Sequence, residues 1–147
     1  EMSGHIFMAD RGWYGFDCSL YNAARIIELW SRTNGLAFSE ELTRLAPNLP
    51  TTGEVKVPCA EDKKLETVAA IQGAFDDYES STIDGIRVRF NDDETGEQIG
   101  WYLARKSNTE PILVMRVEAV DDAVLTSLLA LIQQRVSPII NVDALNA

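Results

Sequence analysis

With 147 residues, 46% of them apolar, the chain has material for one ordinary core, or for a small domain and part of another. Lys and Arg number 13 against 23 Asp and Glu, and a net charge of −10 argues against non-specific nucleic-acid binding, which needs clustered cations. No apolar run is long enough to cross a bilayer and no signal peptide is evident, so the chain reads as cytoplasmic, with the widely separated Cys18 and Cys59 reduced and structural.

Glu1-Met2-Ser3-Gly4-His5 is a polar, glycine-bearing string that runs straight into apolar Ile6-Phe7-Met8. It reads as a loop entering a strand over 6–8, and a domain that starts on an internal loop is expected to be a truncated one. A turn follows from Ala9 to Gly12, and Asp17 or Ser19 is placed to cap a helix from about Leu20 to Arg32. Leu20, Ala23, Ala24, Ile26, Ile27, Leu29 and Trp30 spread over more than one stripe, so this helix needs cover on most of its surface. Thr33-Asn34-Gly35 should close it with a left-handed cap. Ser39 is expected to cap a short helix carrying Leu42 and Leu45, and the stretch from Pro47 to Gly53 reads as a linker. The boundary between two domains, 1–50 and 51–147, is placed there.

Beyond the linker the pattern becomes that of an α+β unit. Glu54 to Pro58 is a strand with Val55 and Val57 on one face, and Asp62 is expected to cap a helix reaching about Tyr78. Leu65, Val68, Ala69, Ile71 and Phe75 would form its apolar side. After Asp84-Gly85, a strict period of two sends Ile86, Val88 and Phe90 inward and Arg87 and Arg89 outward. Asn91 to Gly100 is a polar, acidic hairpin connection, in which Asp92-Asp93-Glu94 is a solvated surface. Strands are predicted over 100–104 and over 112–117, the second as a buried, β-branched run. Asp121 or Asp122 caps a last helix striped with Val124, Leu125, Leu128, Leu129, Ile132 and Val136. Pro138 stops it, and Asn141 to Ala147 is expected to fray. The order β-α-β-β-β-α predicts an antiparallel sheet with two helices on one face.

Between the last two strands lies Arg105-Lys106-Ser107-Asn108-Thr109-Glu110-Pro111. A guanidinium, an ammonium, two hydroxyls and a carboxamide within five residues can be turned by a tight loop toward one point, a cluster that suits a phosphate. Ser-Asn-Thr is also ordinary turn chemistry, since all three bend and cap backbones, and both readings stand on the residues alone. His5 is the single histidine and has no metal-ligand spacing with either cysteine. By itself it reads as a loop histidine satisfied by backbone.

Taken together, the two motifs resemble a known family, the α-D-phosphohexomutases. Glu1 to His5 is similar to their sugar-specificity loop, and Arg105 to Pro111 to the phosphate-binding loop of their C-terminal domain. The similarity continues through Trp13-Tyr14-Gly15-Phe16-Asp17, Asp84 to Val88 and Pro111 to Ala119. The resemblance implies the tail of a third α/β domain over 1–50 and a complete fourth domain, with a fold like the TATA-binding protein, over 51–147. Met2-Ser3 and Ser107-Asn108-Thr109 resemble the phosphomannomutase/phosphoglucomutase forms, where phosphoglucosamine mutases carry Gln and Gly. By the same resemblance Glu1 and Ser3 would bind sugar hydroxyls, and His5 would transfer or position a proton near the reacting end. Arg105, Ser107, Asn108 and Thr109 would hold the phosphate that is not reacting, with Lys106 adding charge or facing solvent. The resemblance also implies Mg²⁺, a hexose 1,6-bisphosphate intermediate and N-terminal domains bearing the phosphoserine. A phosphoglucosamine-type mutase and an autonomous phosphosugar-binding or protein-interaction module are the alternatives.

Overall fold

Alternating burial along successive segments builds a five-stranded antiparallel sheet in the order β1-β5-β4-β3-β2. The strands are β1 (Val55–Pro58), β2 (Ser80–Ser81), β3 (Ile86–Asn91), β4 (Gln98–Lys106) and β5 (Ile112–Ala119). This computed structural model describes residues 5–33, 37–45 and 48–146. The chain divides into two units, 1–48 and 49–147, and the sheet belongs to the second.

The period of two holds through the middle of the sheet. Ile86, Val88 and Phe90 of β3, Tyr102 and Ala104 of β4, and Leu113, Met115 and Val117 of β5 are all buried on one face. Ile86 pairs with Ala104, and Ala104 with Met115, so these side chains lie in rows across the strands. Helices α3 (Lys64–Gly73) and α4 (Asp122–Val136) cover that face with Val68, Ile71, Leu128, Ile132 and Val136 in a single apolar cluster. The expected architecture, an antiparallel sheet with two helices on one face, is the one found, with the two-residue edge strand β2 added.

Several local expectations are corrected. α3 ends at Gly73 and continues to Tyr78 only as turns, and its N-cap is Lys63 with no side-chain bond, so Asp62 does not cap it. Its buried row is 64, 68 and 71, which puts Leu65 in solvent, 71% exposed, and Ala69 with it, while Lys64 is 1% exposed. Strand β4 extends to Lys106, so Arg105 and Lys106 belong to the strand and only Ser107 to Pro111 turn. Up to Asn146 the tail is folded: a 3-10 turn over Asp143–Asn146 buries Leu145, as Val142 is buried just before it. Nor are Thr51 and Thr52 free linker, because Thr52 N–H donates to the Val117 carbonyl at 3.1 Å and the Thr51 hydroxyl to the same oxygen at 2.9 Å. Asp121 does cap α4, accepting from the Val124 amide at 2.8 Å.

In the first unit, α1 (Ser19–Ser31) and α2 (Phe38–Leu45) form as helices, but 6–8 is not a strand. The Ile6 carbonyl is taken by the Asn22 carboxamide at 2.9 Å instead of by a neighbouring strand, and Ile6 and Phe7 stay exposed. Cys18 stands at the N-cap of α1 without a side-chain bond, so neither Asp17 nor Ser19 caps it. Ser39 lies inside α2, and the carboxylate of Glu40 accepts from the Ala37 amide in its place at 3.1 Å. Around α1, Asp10 accepts from the Tyr21 hydroxyl at 2.8 Å and from Arg25 Nε at 2.9 Å, while both Arg11 nitrogens reach Glu28. Leu20, Ile27, Leu29 and Trp30 of this helix are exposed. The Asn34-Gly35 cap lies outside the described residues.

Candidate functional site

The bend between β4 and β5 is organised by Ser107. Its N–H donates to the Ile112 carbonyl at 3.1 Å, closing the hairpin, and its Oγ accepts from the amides of Thr109 at 3.3 Å and Glu110 at 3.1 Å. This is hydroxyl-centred turn chemistry, so Ser107 spends its side chain on the bend itself. Asn108 and Thr109 are exposed at the tip, where the Asn108 carboxamide oxygen accepts from Lys106 Nζ at 3.0 Å.

Arg105 is placed by strand alternation. Ala104 points into the core, so Arg105 lies on the face away from the helices, together with Leu103, Trp101, Arg87, Arg89 and Arg116. Its Nη1 stands 3.5 Å from Asp84 Oδ2, with the two side chains 30% and 66% exposed. A pair that long and that wet is weak. Further down the same face, Arg87 and Arg116 hold their guanidinium carbons 4.8 and 5.7 Å from the ring centre of Trp101. Glu118 accepts from Trp101 Nε1 at 3.2 Å and from Arg116 Nη2 at 3.1 Å.

Charges also fix the bend from the edge strand. Lys56 Nζ donates to Glu110 Oε2 at 2.8 Å, and that bond, with the carboxylate charge, holds the Lys56 ammonium above its ordinary value. A stronger anchor was not legible in the sequence. Lys64 Nζ donates to the carbonyls of Ser107 at 2.9 Å and Glu110 at 2.5 Å, and lies 2.5 Å from Glu61 Oε2. Lysine at a helix start reads as solvated, and only the tertiary packing of α3 over the bend reveals its role.

Of the other expected site residues, His5 is exposed and bonds through Nδ1 to Asp17 Oδ2 at 2.6 Å. That hydrogen bond is the main cause holding the Asp17 carboxyl below the usual range. His5 is therefore held by a carboxylate as well as by its place in the loop. Glu1 and Ser3 lie outside the described residues. The structure thus brings Arg105, Ser107, Asn108 and Thr109 together at one end of the sheet. Among the described residues no group of three or more His, Cys, Asp or Glu comes together to hold a metal ion, and no helix is long and apolar enough to cross a membrane.

Residues 54–134 match the family model described as phosphoglucomutase/phosphomannomutase, C-terminal domain. The chain is 42% identical over 125 residues to a phosphomannomutase/phosphoglucomutase of Pseudomonas putida, covering 84% of this chain and 25% of that protein. It is 38% identical over 126 residues to a phosphoglucomutase of Neisseria gonorrhoeae, covering 81% of this chain and 24% of the other. Among solved structures, a phosphoglucomutase/phosphomannomutase family protein of Burkholderia thailandensis superposes with a TM-score of 0.67 at 35% identity, over 96% of this chain and 28% of that one. The chain spans about a quarter of the length of the curated relatives it matches. With its helix-covered antiparallel sheet and its matched residues 54–134, the chain belongs to the phosphoglucomutase/phosphomannomutase family, of which it carries the C-terminal domain.

Proposed function

We propose that this chain supplies the sugar-recognition loop and the distal phosphate-binding loop of an enzyme that interconverts hexose 1-phosphates and hexose 6-phosphates of mannose and glucose. The observation that carries this reading is the place of Arg105. It is next to last in β4, on the sheet face away from α3 and α4, beside the Ser107–Pro111 bend and 3.5 Å from the Asp84 carboxylate. A planar guanidinium there offers a phosphate two parallel charge-assisted bonds, and the Asn108 and Thr109 groups at the tip add neutral donors. Such recognition ignores which sugar carbon carries the phosphate, as a mutase that turns its bisphosphorylated intermediate around requires. Binding energy taken up at this remote phosphate orients the other end for reaction.

In this reading Glu1 and Ser3 bind sugar hydroxyls and His5, held by Asp17, positions or moves a proton near the reacting carbon. The phosphoserine that donates and recovers the phosphoryl group, and the Mg²⁺ that assists it, belong to the family's N-terminal domains. Hexose 1,6-bisphosphate is the intermediate that both binding loops must accept in turn. The chain alone is accordingly inactive as a mutase, and turnover of glucose 1-phosphate by rigorously purified chain would contradict this. Free Cys18 and Cys59 suit a cytoplasmic setting.

The test is calorimetric titration of the full enzyme with mannose, glucose and glucosamine 6-phosphates, before and after Arg105→Ala. Loss of a charge-assisted contact, about 1.5–3 kcal/mol, should weaken binding by about tenfold or more. Unchanged affinity would reduce the bend to a structural turn, and preference for the amino sugar would move the enzyme to the phosphoglucosamine class.

A further inference from the structure

We infer that Lys64 is the positioning residue of the phosphate-binding bend, fixing one peptide unit so that its N–H faces the ligand; the inference rests on the phosphate reading of that bend. Lys64 is 1% exposed, and its ammonium reaches two main-chain carbonyls, Ser107 and Glu110, 43 and 46 residues away in sequence. With Glu61 as the remaining partner, every N–H of the ammonium is occupied. A buried charge is costly unless fully bonded, so a lysine drawn in from solvent to meet two carbonyls of one bend is a built contact.

The consequence lies on the opposite side of the peptide. Among the described residues every peptide bond is trans, so the Ser107 carbonyl and the Asn108 N–H point in opposite directions. Because Lys64 holds the carbonyl inward, the Asn108 N–H is turned outward to the tip. The amides of Ser107, Thr109 and Glu110 are consumed within the hairpin, whereas that of Asn108 has no hydrogen-bond partner among the described residues. The ammonium also withdraws electron density from the Ser107 carbonyl, which makes the N–H across the same peptide a stronger donor to an anion. Lys64 thus acts on the ligand without touching it. It orients and polarises the one amide of the bend left over for a phosphate oxygen. At Glu110 the following residue is Pro111, which has no N–H, so the second carbonyl bond only pins the bend.

The experiment is an amide NMR titration of the ¹⁵N-labelled chain with inorganic phosphate, with hydrogen exchange measured on the same samples. In the native chain the Asn108 amide is expected to move downfield on saturation. In Lys64→Met it should lose that response, with apparent affinity down at least tenfold, while protection of the Tyr102 and Met115 amides is unchanged. Lys64→Arg, which keeps two donors for two carbonyls, should restore at least half of the lost response. A Lys64→Met chain that answers phosphate as the native chain does would overturn the role of Lys64 and leave the phosphate reading intact. No Asn108 response in the native chain would overturn the phosphate reading itself. Should Lys64→Met lose protection throughout the sheet, the arginine variant decides: a folded chain with no recovered response counts against the proposal.

Discussion

Gly85 lies against the backbone that carries Arg105. Its φ is +76°, and a Cβ added there would sit 2.7 Å from the Arg105 Cα and 2.2 Å from the Ala104 carbonyl oxygen. Both neighbours are main-chain atoms of a central strand and have no rotamer to yield. Gly85→Ala should therefore cost at least about 1–2 kcal/mol for the left-handed backbone alone, and more for the displaced strand. Urea denaturation reads that loss, and phosphosugar titration should show weaker binding, because the shifted strand is the one that places the guanidinium.

Leu145 gives the sharpest contrast with a frayed tail. It is 4% exposed and packs into the same cluster as Ile132 and Val136. Leu145→Ala should destabilise by about 2–5 kcal/mol, as core truncations do. A loose C-terminus would leave the unfolding midpoint within about 0.5 kcal/mol of the native protein.

The start of α4 depends on one carboxylate. Asp121 accepts from the Val124 amide at 2.8 Å. Asp121→Ala should cost about 1 kcal/mol, and Asp121→Asn much less, because the carboxamide oxygen can still cap. Thermal unfolding of the pair separates the cap from any effect of charge.

These three positions show how far the sequence could be read. The strict alternation from Ile86 to Phe90 and the stripe of α4 are local patterns, and the sheet and its helices follow from them. Asp121 was legible as one of two candidate caps, and the structure selects it over Asp122. Asp17 was a candidate too and does not cap, since His5 and Asn22 take its oxygens, a matter of which segments meet in space. Lys64 and Leu145 fail for the same reason. One looks solvated and the other looks terminal until the bend and the core are built around them. At the candidate site, the residue types of the bend were legible. Of the two readings open for Ser107, turn chemistry is the one its side chain follows, since it holds the turn through two amides.

Acid should loosen the contact between α4 and the turns that follow α3. Arg135 grips Asp77 with both terminal nitrogens, at 2.6 and 2.8 Å, and this bond is the main cause keeping the Asp77 carboxyl below the ordinary carboxylate range. A carboxylate with a lowered folded pKa adds stability that is complete above its unfolded pKa. That contribution is lost as pH falls through the folded value. Asp77→Asn should thus be less stable than the native chain near neutrality, and the gap should narrow as pH falls through the ordinary carboxylate value of about 3.9, closing only below the lower folded value. A gap constant across that range would show that Asp77 contributes nothing as an anion.

The Arg87–Trp101–Arg116 stack has a practical corollary. Trp13, Trp30 and Trp101 are the only tryptophans, and the first two lie in the other unit. Replacing those two by phenylalanine leaves a lone tryptophan flanked by cationic groups on the sheet face away from α3 and α4. Its emission wavelength responds to the local field, so an arriving anion would announce itself as a spectral displacement, with no dye or label attached.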